Sequence, residues 1–276
     1  MARPLFREFR IASWDEFLKI ITSAPYSNWA FRGESHARWP LYSGLTRYFR
    51  DFGIHRQAWP EQEGRILRIF KRKAHQYLQQ PPAQADDFQW LALMQHHGAP
   101  TRLLDFTWSP YVAAFFALEH ATEEGVVWAL NPRQLGSREP RMSDSRARIT
   151  LPEMNPRMPG NFERYFLKGD YAFVWVGEPD TMNRRLTAQS GTFAIPGVLD
   201  APLEEILSRY PEPENMIAKF VLPVPGMRET GLRELYRMNI TNATLFPDLG
   251  GLARSMAYEL EFHWAYNTRT MEPLEQ

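Results

Sequence analysis

Apolar positions along this chain recur in two rhythms, and the rhythm sets the element expected at each point. Trp14, Phe17, Leu18 and Ile21 fall at helical spacing behind a Ser13/Glu16 capping box, which predicts a short helix over 14–23. Residues 28–33, Asn-Trp-Ala-Phe-Arg-Gly, are aromatic-rich and bounded by polar residues, which suits a strand ending at a glycine. Residues 61–78 read as a long helix, acidic in its first turn and basic through Arg68, Lys71, Arg72 and Lys73, as the helix dipole favours. Two prolines at 81 and 82 stop it. A second helical pattern runs over 86–96, with Trp90, Leu91, Leu93 and Met94 apolar. Residues 101–107 look extended, and Ser109-Pro110 then provides an N-cap and a first-turn proline for a buried helix through His120. Strands are expected at 125–130, 171–176, 191–195 and 216–222, the last ended by Pro223 and Pro225. Residues 131–160 are rich in Pro, Arg and Ser and weakly periodic, so they read as a long surface excursion. Helices over 228–237 and 249–265 close the chain. The interleaving is irregular, without a βαβ period, so the expected class is α+β and not a doubly wound sheet.

Composition narrows the function classes. The 276 residues can bury one large core and sit near the upper limit for a single domain, with no internal repeat to suggest a solenoid. Thirty-two Lys+Arg balance 32 Asp+Glu, which argues against capture of nucleic acid or anionic membrane by total charge. The absence of Cys excludes disulfides, thiolate metal sites and a thiol nucleophile. Residues 1–15 carry Arg3, Arg7, Glu8 and Arg10 with no apolar core, unlike a secretory signal. The longest apolar run, 111–118, is too short to span a bilayer, so a cytoplasmic protein without membrane partners is expected. P-loop, dinucleotide-binding, zincin and nucleophile-elbow motifs are all missing, which lowers the corresponding chemistries.

Polar chemistry concentrates between two predicted helices, in Gln95-His-His-Gly-Ala-Pro-Thr-Arg-Leu-Leu-Asp-Phe-Thr-Trp-Ser109. If 101–109 is extended, Thr101, Asp105, Thr107 and Ser109 line one face, opposite Arg102, Leu104, Phe106 and Trp108. That stripe reads as one wall of a pocket. The plainer alternative makes Arg102 and Asp105 structural partners and leaves Ser109 as a helix cap, which for Ser109 alone is the better reading. His96 and His97 diverge by about 100° on a helix, so they do not form a metal site together, although one could face a ligand. Arg32, just before Gly33 at a strand end, fits a guanidinium fork aimed at phosphate with room for close approach; on this segment alone, an ordinary solvated arginine is the better reading. Gln189 enters a short strand through Gly191. The basic run 65–73 reads as a solvated face that could also touch phosphates, and Trp14, Trp90 and Trp128 read as packing.

Taken together, Phe31-Arg32-Gly33 with Trp39 and Leu41, the block Leu91–Thr107 with Ser109-Pro110 and Phe115-Phe-Ala, Ala188-Gln-Ser-Gly-Thr-Phe193 and Thr244-Leu-Phe-Pro-Asp-Leu249 resemble the FRG domain family. These blocks span about 27–255. The resemblance implies one FRG-type domain over 1–276, with a C-terminal helix and tail at 256–276. The order of the blocks is in turn similar to ADP-ribosyltransferases of the Arg–Ser–Glu branch. That similarity implies a split mixed or antiparallel sheet with surrounding helices, and NAD as substrate. By position, Arg32 would hold NAD, Thr107 or Ser109 would support the nicotinamide ribose, and Gln189 would stand where relatives carry Glu. Arg32, Gly33, His97, Thr101, Arg102, Asp105, Ser109 and Tyr111 form the implied NAD-binding set. Arg32 or Arg102 would meet the pyrophosphate, and Tyr111, Phe106 or Trp108 would sandwich the nicotinamide. A neutral amide at 189 cannot offset ribose charge as a carboxylate does.

The resulting expectation is an NAD-dependent ADP-ribosyltransferase-like toxin or phage-defence effector. Its acceptor would be RNA, DNA or protein, and an antitoxin would be its neutralising partner. The alternatives are a non-catalytic nucleotide or nucleic-acid binding module, and a nuclease or hydrolase using His97 and Asp105. The first reading requires Arg32, Thr107 and Gln189 to converge on one cleft.

Overall fold

The computed structural model describes residues 6–137, 150, 152–169, 171–261, 263 and 265–273. Seven strands form one mixed sheet: β1 (Arg7–Arg10), β2 (Ala30–Glu34), β3 (Leu104–Thr107), β4 (Glu124–Leu130), β5 (Val174–Gly177), β6 (Gly191–Pro196) and β7 (Ile217–Pro223). Their order is β1-β7-β4-β2-β3-β6-β5, antiparallel except for the β1–β7 pair. The helices are α1 (Trp14–Ile21), α2 (Gly44–Asp51), α3 (Trp59–Ala74), α4 (Asp87–His96), α5 (Pro110–Glu119), α6 (Pro132–Ser137), α7 (Arg184–Ala188), α8 (Leu203–Leu207), α9 (Val224–Arg237), α10 (Asn242–Leu245) and α11 (Leu249–Glu261). A π-helical turn covers Phe162–Leu167.

Alternation along the strands divides the core between the two faces. On β4, Val126, Trp128 and Leu130 join a cluster with α3, α4, α8 and the π-helical turn. Val127 and Ala129 point the other way, into a cluster with α1, α5, α9, α10 and α11. The two faces account for helices on both sides, each burying its apolar stripe against the sheet. α5 approaches closest. A Cβ on Gly33 would lie 1.9 Å from the Ala113 carbonyl oxygen, and one on Gly125 would lie 2.2 Å from that of Ala117. Glycines on β2 and β4 therefore let the α5 backbone rest directly on the sheet.

The sheet is weakest in its middle. β2 pairs with β4 over five residues and β3 pairs with β6 over four, but β2 and β3 share one paired position, Phe31 opposite Thr107. Beyond it the two strands fork. One continuous sheet is thus close to two halves, β1-β7-β4-β2 and β3-β6-β5, joined at a single rung.

Several boundaries differ from those the pattern predicts. The long helix stops at Ala74, ahead of the prolines at 81 and 82, because its C-cap His75 starts a tight turn at 75–77. The extended segment is confined to Leu104–Thr107, since Thr101 and Arg102 are spent on tertiary bonds. In the excursion over 131–160, α6 occupies Pro132–Ser137, while 138–149 and 151 lie outside the described residues. α9 becomes regular only after Pro225 and Gly226, which break its first turn, so the expected start at 228 is close. In the C-terminal tail, Tyr266 bridges to Pro273, and 262, 264 and 274–276 lie outside the described residues.

Candidate functional site

The fork between β2 and β3 opens a cleft of about 310 Å³. Arg32, Gly33, Glu34, Asp105, Phe106 and Thr107 come from the two strands. α2 contributes Arg47, α5 contributes Val112 and Phe116, and the α7 region contributes Arg185 and Gln189. Arg32, Thr107 and Gln189, far apart in sequence, therefore line one cavity. That is the placement the motif order requires.

Arg32 spans the fork. Its Nε donates to Glu34 Oε1 at 3.0 Å and its Nη1 donates to the Asp105 carbonyl at 2.8 Å, bridging the strands just where backbone pairing ceases. Nη2 has no hydrogen-bond partner among the described residues, so one edge of the guanidinium stays available. Thr107 ties the far wall: its hydroxyl donates to the Gln189 carbonyl at 2.6 Å and accepts from the Ser109 N–H at 3.0 Å. Gln189 C-caps α7, and Ser190, with φ of 46°, turns the chain into β6. It thus precedes the strand it was expected to open, and its amide donates to the Leu245 carbonyl at 3.1 Å. Asp105 accepts from Gln95 Nε2 at 2.7 Å, and Gln95 Oε1 in turn accepts from Thr101 at 2.7 Å.

Five residues of the implied NAD set are placed elsewhere, each for a physical reason. Arg102 is 2% exposed. Its guanidinium pairs with Glu63 through both carboxylate oxygens, with Nε–Oε1 at 2.7 Å, and also donates to the carbonyls of Pro196, Gly197 and Phe166. With those partners it ties α3, β6 and the π-helical turn together, and it is not a phosphate ligand. Thr101 is 1% exposed and bonds Gln95 and the Leu103 N–H behind the cleft wall. Ser109 caps α5 by accepting from the Val112 N–H at 3.3 Å. Tyr111 packs against the core on the α5 side, outside the cleft lining. His97 lines a separate apolar groove of about 590 Å³ between α3 and α4, whereas Asp105 lines the fork cleft. Of the three aromatic residues considered for the nicotinamide, Phe106 lines the cleft; Trp108 instead donates to Glu178 at 2.8 Å. Gly33 does line the cleft, but the space its missing Cβ leaves is filled by α5, so it serves helix packing and not phosphate approach. Among the described residues no group of three or more His, Asp or Glu is gathered to hold a metal ion.

Three charged cleft residues escaped the sequence reading. Arg47 is exposed on α2, and Arg185 lies over the Phe246 ring at 4.6 Å; neither guanidinium has an ion pair among the described residues. They supply the cationic walls that Arg102 does not. Glu34 is 6% exposed, and its Oε2 has no hydrogen-bond partner. Period-two alternation could have found it, because Glu34 follows Arg32 by two and must share its face. Arg47 carried only a weaker signal, the Ser43 cap that accepts from Thr46 N–H. Behind the cleft, burial pushes the Glu204 carboxyl above its ordinary value, and the nearby charge of Glu34 adds to the shift. Burial lowers His96, with His97 and Arg185 reinforcing the effect.

Residues 27–125 match the family model described as FRG domain. The chain carries an FRG domain. The matched segment runs from the approach to β2 to the start of β4, so the FRG domain supplies Arg32, Glu34, Arg47, Asp105 and Thr107, while Arg185 and Gln189 close the cleft from outside it. Comparison with curated proteins finds no match, and neither does comparison with solved structures. No helix among the described residues is long and apolar enough to cross a membrane.

Proposed function

We propose that the fork cleft binds NAD and transfers its ADP-ribose to an acceptor. The observation that carries this reading is the convergence of Arg32, Thr107 and Gln189 on one cavity that also holds two unpaired arginines. Arg47 and Arg185 suit the diphosphate, since a guanidinium forks onto phosphate oxygens in a bidentate manner. Phe106, Phe116 and Trp39 offer aromatic surface for the nicotinamide. The cavity sits at the lower end of the about 300–1,000 Å³ usual for small-molecule sites, enough for one nucleotide half of the dinucleotide with the rest along the mouth.

When nicotinamide leaves, the C1′–N bond breaks, its electron pair neutralises the pyridinium nitrogen, and positive charge develops on the ribose. A prearranged acceptor group facing that charge lowers the barrier. Arg32 acts as a brace: by joining Glu34 to the β3 backbone it fixes the two walls between which the ribose sits.

A binding module without chemistry is the second reading. It is favoured by Gln189, whose neutral amide is already donated to Leu245. Incubation of the purified chain with cell lysate and NAD labelled in the adenylate separates the two. Transfer of label to macromolecules, lost in Arg185→Ala and Arg32→Ala variants that still melt cooperatively, supports the transferase. Saturable NAD binding with neither transfer nor nicotinamide release supports the module, and no NAD binding removes both readings.

A further inference from the structure

A transferase cleft needs a negative group facing the ribose, and position 189 does not supply one. The cleft nevertheless contains a carboxylate in an unusual state. The Glu34 side chain is 4% exposed. Its Oε1 accepts from Arg32 Nε at 3.0 Å, and its Oε2 is buried without any hydrogen-bond partner. An unsatisfied buried carboxylate oxygen is costly, and native structures rarely keep one without a use for it. Glu204 stands nearby: burial raises its carboxyl above the ordinary value, and the charge of Glu34 adds to that shift. Strand geometry holds Glu34 firmly: it pairs with Val126 on β4 and lies on the same face as Arg32, two residues back. Asp105, the other carboxylate of the cleft, is exposed and already accepts from Gln95. Glu34 is therefore the one buried carboxylate among the cleft-lining residues, with Arg32 bonded to its Oε1 and its Oε2 left without a partner.

We propose that Glu34 is the catalytic carboxylate of this cleft, a role that rests on the NAD reading above. Oε2 accepts a hydrogen bond from a hydroxyl of the nicotinamide ribose and opposes the positive charge that develops there. In the balanced step, the C1′–N bond breaks and nicotinamide leaves with the electron pair. The attacking water or acceptor hydroxyl then bonds C1′ and releases its proton to solvent at the open mouth. Glu34 is unchanged at the end. Arg32 is a positioning residue acting through Glu34, while Gln189 shapes the wall through its backbone bond with Thr107.

The test measures nicotinamide release from NAD by the full chain, alone and with lysate, for wild type, Glu34→Gln and Glu34→Ala, alongside calorimetric NAD affinity and a thermal melt for each. Glutamine keeps an oxygen for Arg32 Nε and removes only the charge. The expected result for Glu34→Gln is a kcat lower by about 100-fold or more, as for loss of one transition-state-stabilising group, with KM, NAD affinity and melting temperature close to wild type. A merely structural Glu34 would give full activity in Glu34→Gln and loss only in Glu34→Ala, and that pattern overturns the proposal. If wild type binds NAD but releases no nicotinamide, the catalytic role falls while the binding reading stands. If wild type does not bind NAD at all, the cleft reading itself fails and the role of Glu34 falls with it.

Discussion

Replacing Arg102 by Met removes the cation paired with Glu63, a carboxylate that is 1% exposed, and leaves three buried carbonyls, of Pro196, Gly197 and Phe166, without that donor. Breaking a buried ion pair from one side costs about 3–5 kcal/mol, because the remaining charge stays desolvated. Methionine preserves much of the apolar stem, so packing loss adds little, and a total near 4 kcal/mol is expected for Arg102→Met. At roughly 2–4 °C per kcal/mol for a chain of this size, the melting temperature should fall by about 8–16 °C. Circular dichroism melts and urea titrations at pH 7 read both quantities. The double variant Arg102→Met/Glu63→Leu removes the stranded charge and should recover about 2 kcal/mol of the loss, with the orphaned carbonyls keeping it below wild type. The reasoning is refuted if Arg102→Met melts within about 3 °C of wild type. It is refuted equally if the double variant is less stable than the sum of the two singles, since no shared ion pair would then exist.

Three further outcomes follow from the same geometry. Gly33→Ala places a Cβ 1.9 Å from the Ala113 carbonyl oxygen, so α5 must move; denaturant titration should show a loss of about 1–3 kcal/mol or more, and an unchanged midpoint would contradict the close packing. The Glu204 carboxyl is raised in the folded chain, so its contribution is present below its ordinary value of 4.5 and is lost as pH rises through the raised value. Glu204→Gln, which can still accept from the Leu41 N–H, should thus be more stable than wild type at pH 7, with the difference closing below pH 4.5; a gap that persists in acid would sink the assignment. Arg47→Ala and Arg185→Ala should each weaken NAD binding by about tenfold, as loss of one charge-assisted contact does, without lowering the melting temperature appreciably. Equal affinity in calorimetry would take the diphosphate off those walls.

Much of this arrangement was legible in the sequence, and the residues show why. Ser13 and Ser109 carry their cap signals locally, so α1 and α5 begin where the pattern puts them. β4, β6 and β7 are short apolar runs bounded by breakers, and the pattern places each to within a residue at either end, whereas β3 begins three residues later than expected. β1 was not seen, because Arg7-Glu-Phe-Arg10 is an edge strand whose charges protect its open side, with only Phe9 turned in to stack on Phe220 at 5.1 Å. The candidate site was legible in its parts and not in its directions. Arg32 and Arg102 look equivalent in sequence, but only tertiary structure reveals Glu63, which comes from α3 and takes Arg102 into the core. Gly33 signalled close approach correctly, while the approaching group is a helix backbone. Arg47 and Arg185 resemble ordinary surface arginines until α2 and α7 are folded across the fork.

The most direct test of the account is a crystal structure of the chain with a non-cleavable NAD analogue. The account predicts the diphosphate within hydrogen-bond reach of Arg47 and Arg185, and the nicotinamide ribose against Glu34 in the fork between β2 and β3. An analogue seated in the apolar groove between α3 and α4, or an empty fork at saturating analogue, would contradict it.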